Sequence, residues 1–427
     1  MDSVLNVLSM PDCSALTAFC QGLHMAMVYQ QNFSVAYSFP VIFTRDAFAV
    51  ENDAVFSCLQ GSGTGKPRAL VVIDSGVASA HPGLPEQVRR YATMLQERIE
   101  LVCPPQIFRG GEACKNGMDE VKKLHRLIAE YGLCRHSFII AVGGGALLDS
   151  VGFAAATAHR GIRLLRMPTT TLSQNDAGVG VKNAVNAYGR KNFLGSFAPP
   201  AGVVVDFAFL ETLPARDLRC GIAEAVKVAL VKDGAFFGLL SAEQEQLAAF
   251  EPAALERMIV HAARLHMDHI HTGGDPFESG SARPLDFGHW IAHKLEEATG
   301  GDVRHGEAVA TGIALDSLYS CRQGLLPPRD LDRILLLLER VGFQLFHPAI
   351  DGIDLHLSLR EFREHLGGEL SIPLLRGIGD SIEADFVDLH IYNECIATIA
   401  KRTGKRARTH DTSIPPVGTR DSGYLFH

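Results

Sequence analysis

The sequence predicts an α/β, Rossmann-like N-terminal domain followed by an all-α C-terminal domain. Short apolar runs alternate with amphipathic stretches through the first half. Strand-like runs then nearly vanish after residue 207, while helical periodicity fills residues 216 to 401. One unit of the first half also reads strand, glycine turn, helix, the order of a doubly wound sheet. At 427 residues the chain exceeds one ordinary core, which agrees with two domains.

Taken in order, residues 1–35 show weak periodicity and are expected to form an N-terminal extension. PVIFT (40–44) and ALVVID (69–74) read as buried strands, and PEQVRRYATMLQERI (85–99) as the helix that separates strands. Helix 118–132, strand SFIIAV (137–142), the triplet Gly143, Gly144 and Gly145, and helix 146–160 form the clearest unit; strands IRLLRMP (162–168) and GVVVDF (202–207) follow. The expected domains are residues 36–214 and 215–400. A basic segment poor in apolar residues, 401–427, is expected to be a mobile tail.

Composition narrows the function classes. A formal charge of -8 leaves no basic face for nucleic acid. Nine cysteines without a C-x-x-C pair read as reduced thiols, and no apolar run is long enough to cross a bilayer, so a cytoplasmic protein is expected.

At the glycine triplet a strand gives way to a helix, so backbone amides and the positive helix end are placed to meet a pyrophosphate, where a Cβ would block the approach. A plain tight turn is the alternative. Asp74 ends an earlier strand, where a carboxylate commonly meets ribose hydroxyls, and Glu112 and Lys115 stand in GGEACKN upstream. Asp149 lies one turn into the helix, where it also compensates the helix dipole.

In the helical half, DFGHWIAHKLE places His289 and His293 four apart, on one helical face, able to reach one metal or one metal and one substrate. His305 opens the next helix, and GIAEAVK sets Glu224 and Lys227 on one face. One carboxylate and two imidazoles leave a position open, as a catalytic zinc requires. The long polar stretch between strands 162–168 and 202–207 offers Lys182, Lys191 and Asn192 as phosphate donors. Its Thr169, Thr170 and Asp176 suit nicotinamide ribose or substrate hydroxyls.

Six segments, GGGALLDSVGFAAATAHRG, MPTTTLSQNDAGVGVKNAVN, RKNFLGSF, GIAEAVK, DFGHWIAHKLE and RHGEAVATG, stand in the order found in sugar-phosphate cyclases, and the chain resembles that superfamily, whose familiar member is 3-dehydroquinate synthase. The resemblance covers residues 69 to 375. It implies a dehydroquinate synthase-like fold, with a dinucleotide-binding α/β domain and an all-α metal-binding domain. It further implies that Glu224, His289 and His305 ligate zinc, with cobalt as an alternative, and that Asp74, Glu112, Lys115, Gly144, Gly145, Asp149, Thr169, Thr170 and Lys191 line NAD. Lys182, Asp176, Lys227, His293 and Glu278 become the candidate catalytic residues, while Arg160, Asn192, Asp286, Arg283 and His365 become candidate substrate or phosphate contacts. His293 is also implied in holding phosphate. A homodimer with a small sugar phosphate as its ligand is the expected assembly.

Departures from the dehydroquinate pattern bear on substrate. Those synthases carry an arginine seven residues before the first metal histidine and a lysine further upstream; here the seventh position is Ala282, Arg283 is displaced by one, and RLHMDHIHTGGDP has no lysine. Asp286 replaces an asparagine and His365 a phosphate-binding lysine. Asp286 and REHLGGEL are similar to the 2-epi-5-epi-valiolone synthase branch, whereas His293 follows the dehydroquinate pattern. The implied reaction turns a C7 sugar phosphate, sedoheptulose 7-phosphate, into a carbocycle by oxidation, β-elimination, reduction and aldol closure. The alternatives are a 3-dehydroquinate synthase acting on the heptulosonate phosphate and a glycerol dehydrogenase-like metal-dependent oxidoreductase.

Overall fold

The computed structural model describes residues 29–59, 65–273, 275–278, 280 and 283–404. Most of the expected extension and tail, and Ala282, lie outside them. Residues 29–38 contain no helix or strand and belong to a unit distinct from Phe39–His427, which holds everything below.

The first half runs β1 (Val41–Thr44), α1 (Ala54–Cys58), β2 (Arg68–Asp74), α2 (Ser75–Ala80), α3 (Leu84–Met94), β3 (Glu100–Leu101), β4 (Gln106–Phe108), α4 (Asp119–Glu130), β5 (Phe138–Gly143), α5 (Gly145–Thr157) and β6 (Arg163–Pro168). After it come β7 (Lys182–Ala187), β8 (Arg190–Phe197) and β9 (Gly202–Asp206). The main sheet is parallel in the order β1-β9-β6-β5-β2-β3, with β4 also on β2. Its continuous apolar strands follow from burial on both faces. Ala69, Val71 and Ile73 of β2 pack with Leu84, Val88 and Tyr91 of α3, while Leu70 and Val72 pack with Val121, Leu124 and Ile128 of α4. Each such Val, Leu or Ile side chain, fully buried, contributes roughly 1.5–3 kcal/mol. From β2 the chain steps outward to β3 and β4, then returns to the other side of β2 for β5 and β6. The carboxyl ends of β2 and β5 therefore flank the switch point where doubly wound sheets open a crevice.

The stretch expected to be a long polar connection is more ordered than its composition suggests. Residues Ser173–Ala177 form a π-helical turn, and β7 and β8 form an antiparallel hairpin. Ala187 pairs with Arg190, leaving a two-residue loop in which Tyr188 (φ 53) and Gly189 (φ 73) are both left-handed, as a type I′ hairpin turn demands.

The second half is α6 (Ala215–Lys232), α7 (Gly234–Ala242), α8 (Gln244–Ala248), α9 (Pro252–Thr272), α10 (His289–Ala298), α11 (His305–Arg322), α12 (Pro328–Arg340), α13 (Leu355–His365), the hairpin β10 (Ile372–Gly377) with β11 (Asp380–Ala384), and α14 (Leu389–Arg402). That hairpin is the exception to an otherwise helical half. Helix α11 is buried on every side from Ala308 to Ser320, so it forms the hub of the helical core, which is continuous with Val203 and Val205 of β9.

Candidate active site

Two glycine contacts bring the metal candidates together. A Cβ on Gly306 would lie 2.3 Å from the Cys220 carbonyl oxygen and 2.5 Å from its Cα, so only glycine lets the start of α11 touch α6 one turn from Glu224. Gly288 is left-handed (φ 79), and a Cβ on it would meet the Ile313 amide nitrogen at 2.7 Å, which seats the turn before His289 directly on α11. That turn is also held by buried Asp316, whose carboxylate accepts from the Gly288 amide (3.0 Å), the Trp290 indole (3.2 Å) and the Tyr392 hydroxyl (2.8 Å). Burial pushes the Asp316 carboxyl up to about 6, against those three donors.

The result is a ligand set. Glu224 Oε1 lies 3.1 Å from His305 Nε2 and 3.6 Å from His289 Nε2, and one ligand atom from each residue falls within 4.8 Å of the others. His289 Nδ1 donates to the Phe287 carbonyl (3.1 Å), which turns Nε2 toward the Glu224 carboxylate, with room for a cation between them. His305 Nδ1 donates to Glu296 (3.0 Å), the second-partner arrangement common at metal-bound imidazoles. Half-buried His305 is pushed up to about 10: burial opposes its charged form, and Glu296 and Glu224 outweigh burial. A proton thus supplies the positive charge that the two carboxylates demand, a place a divalent ion fits. Lys227 Nζ stands 2.5 Å from Glu224 Oε2, which accepts no well-aligned hydrogen bond among the described residues. His293, Glu296 and His305 form a second possible set. Its Glu296 already receives Lys191 Nζ at 2.9 Å and His305.

Around this set lies a charged pocket. Asp176, from the π-turn, meets His266 Nδ1 at 3.0 Å and is held at about 2, burial being overcome mainly by Lys227. Lys182 Nζ lies 2.5 Å from Glu278, which also receives Arg283 Nε at 3.1 Å. Asp286 is held below the usual carboxylate range: burial opposes the shift, while the Lys182 and Lys227 ammonium groups drive it. His293 is pushed down to about 3 by burial and then His289, so its imidazole is neutral.

At the crevice, Gly144 precedes α5 and Gly145 begins it, and no side chain caps the helix, so its first amides are free to donate. A Cβ on Gly144 would approach Thr170 Cγ2 to 3.3 Å. The Thr169 amide donates to the Gly143 carbonyl (3.1 Å), and Asp74 caps α2 through the Gly76 amide (2.7 Å), so β2, β5 and β6 present their candidates side by side. Buried Lys115 bonds Asp149 (2.7 Å) and Asn192 (2.5 Å). Lys191 lies 3.9 Å from Glu112. These amides, hydroxyls and charges fit a dinucleotide.

Three of the sequence candidates stand apart from the charged pocket. Asn192, whose backbone is left-handed (φ 54), accepts from Lys115, which also bonds Asp149, at the crevice. Arg160 lies past the far end of α5 from the glycine turn; 13 helical residues at about 1.5 Å each separate it from this site. His365 is exposed at the end of α13, with its ring against Phe362, and no hydrogen bond joins it to the other candidates among the described residues.

Sequence reading missed several groups. His266 and His269 lie one turn apart on α9, and His269 is pushed down to about 4 by burial and then Lys232. Glu296 stands three residues after His293, an H-x-x-E spacing that was visible. Arg166, fully buried in β6, donates to the carbonyls of Gly180 and Lys182 (both 2.8 Å) and to Asn183 (2.7 Å), tying the Lys182 segment to the sheet. An arginine inside an apolar strand gave no hint of that role.

Comparison with known proteins agrees with this geometry. Residues 106–220 match the family described as 3-dehydroquinate synthase N-terminal and residues 221–364 the one described as 3-dehydroquinate synthase C-terminal. A 3-dehydroquinate synthase of Acidithiobacillus ferrooxidans is 34% identical over 330 residues, 76% of this chain and 87% of that protein. A 2-epi-valiolone synthase of Actinosynnema mirum is 34% identical over 340 residues, 78% and 85% of the two chains. The structure of a 2-epi-5-epi-valiolone synthase from Streptomyces hygroscopicus subsp. jinggangensis, solved with NAD+ and Zn2+ bound, superimposes with TM-score 0.78 at 30% identity, covering 88% of this chain and 100% of that one. With three helices converging on one ligand set beside a glycine-opened crevice, and with relatives matching along most of its length, the chain belongs to the 3-dehydroquinate synthase family of sugar-phosphate cyclases.

Proposed function

We propose that the chain is an NAD- and zinc-dependent cyclase that eliminates phosphate from sedoheptulose 7-phosphate and closes a carbocycle. The convergence of Glu224, His289 and His305 beside the Lys182 and Lys227 cluster carries the reading. NAD, when bound, supplies a reversible hydride acceptor, and zinc, or cobalt in its place, polarises the alcohol being oxidised. The uncapped amides of α5 hold the pyrophosphate, with Lys115, Asp149, Glu112, Lys191, Thr169, Thr170 and Asp74 lining the rest of the cofactor. Lys182 and Lys227 stabilise the departing phosphate's charge. Asp176 is the carboxylate poised to move a proton, kept ionised by Lys227 and His266. Neutral His293 donates to phosphate, and the pocket orients the opened chain for aldol closure.

The charge balance supports a substrate without a carboxylate. Arg283 is engaged by Glu278 and by the Glu278 carbonyl (2.6 Å), and Asp286 adds a negative charge that would repel a carboxylate but accept from a hydroxyl. His293 favours the second reading, action on the heptulosonate phosphate. Incubation with each heptulose phosphate, following phosphate release and product identity, separates the two. Phosphate release without NADH accumulation supports a cyclase, while accumulating NADH supports a glycerol dehydrogenase-like oxidoreductase. A cytoplasmic homodimer completes the proposal; among the described residues no helix is long and apolar enough to cross a membrane.

A further inference from the structure

The two imidazoles of the metal set are oriented by different means. His289 is fixed by the carbonyl of Phe287, two residues before it in the same turn. His305 is fixed by a side chain from another helix, Glu296 of α10, whose Oε2 accepts from Nδ1 at 3.0 Å and so aims Nε2 at Glu224. The other oxygen of Glu296 accepts from Lys191 Nζ at 2.9 Å, and Lys191 rides on the hairpin that borders the crevice. Glu296 is buried, with 6% of its side chain exposed, so an unpartnered charge there would be costly and both bonds matter.

We propose that Glu296 is the positioning residue for His305, and that through Lys191 it couples the metal set to the nucleotide edge. The inference rests on the zinc reading of Glu224, His289 and His305. A carboxylate behind a ligating imidazole fixes its tautomer and raises its basicity, and losing such a partner weakens metal binding about 10- to 100-fold. Lys191 draws on the same carboxylate, so removing its charge leaves Glu296 a stronger acceptor for His305.

The test is zinc affinity, measured by chelator competition on the full chain, for the wild type, Glu296→Gln, Lys191→Met and the double variant. Expected are zinc bound about 10-fold more weakly by Glu296→Gln, more tightly by Lys191→Met, and no effect of Lys191→Met once Glu296 is Gln. Equal affinity in Glu296→Gln overturns the positioning role alone, whereas a wild type that binds no zinc overturns the metal reading with it. Should Glu296→Gln fail to fold, Lys191→Met decides, since unchanged or weaker zinc binding there contradicts the shared carboxylate. His293→Ala is expected to keep its zinc; loss would make Glu296 and His293 ligands themselves and overturn the proposal.

Discussion

The nucleotide edge and the metal pocket both depend on glycines that allow close approach, but what each glycine faces differs. At the crevice, a Cβ on Gly143 would meet the tip of Leu147 (Cδ2 at 2.5 Å), a side chain able to change rotamer, and would press less closely on the Cβ atoms of Asp74 (3.0 Å) and Leu147 (3.1 Å). In the metal pocket, a Cβ on Gly306 would meet backbone atoms of Cys220, which cannot yield without moving α6. A parallel sheet sets the crevice by strand register, whereas the pocket gathers side chains from three helices whose spacing is set by backbone contact. The pocket is therefore the more fragile of the two.

Substitutions can break or sharpen that contrast. Lys182→Ala should have the largest effect on turnover, lowering phosphate release about 10²–10³-fold, the range for losing one charge-stabilising donor. Zinc and NAD binding should persist, since Lys182 holds neither region together; loss of zinc would place it among the structural supports. Gly306→Ala should cost the upper part of the roughly 1–3 kcal/mol typical of overpacking and weaken zinc binding, because α11 must retreat from α6. Asp316→Asn replaces one acceptor by an amide donor facing the Gly288 N–H or the Trp290 and Tyr392 donors, at about 1–3 kcal/mol, read from chemical denaturation.

Asp316 also carries a pH signature. Its folded value near 6 stands above the unfolded value of about 4, so the stability it contributes is complete below pH ~4 and fades as pH rises through 6. Asp316→Asn should flatten that part of the stability profile. An unchanged profile would mean that the carboxyl titrates elsewhere. Gly143→Ala should cost about 1 kcal/mol, the lower end for overpacking, because Leu147 can re-pack while Asp74 Cβ at 3.0 Å needs only a small shift, weakening NAD while sparing zinc. Arg190→Ala, which removes an exposed pair with Glu364 at 3.3 Å, should change stability by under about 1 kcal/mol.

What the sequence made legible follows the same division. Strands buried on both faces declare themselves as apolar runs, and a glycine triplet after one of them marks the crevice without outside help. The metal triad spans Glu224 to His305, and nothing local in those residues says that α6, α10 and α11 meet; their side-chain types suggested a ligand set, and the resemblance chose its three members. The hairpin was hidden because its strands are polar and its turn, Tyr188-Gly189, lacks the common asparagine or aspartate. Arg166 and Asp316 were invisible as functional groups, and Glu296 showed only its spacing from His293, because their value lies in partners distant in sequence, at Gly180, Tyr392 and Lys191.

The most direct measurement is a crystal structure of the zinc-loaded protein with anomalous data at the zinc edge. One peak is expected about 2.0–2.2 Å from His289 Nε2, His305 Nε2 and a Glu224 oxygen. A peak on His293, Glu296 and His305, or none between α6, α10 and α11, would contradict the account.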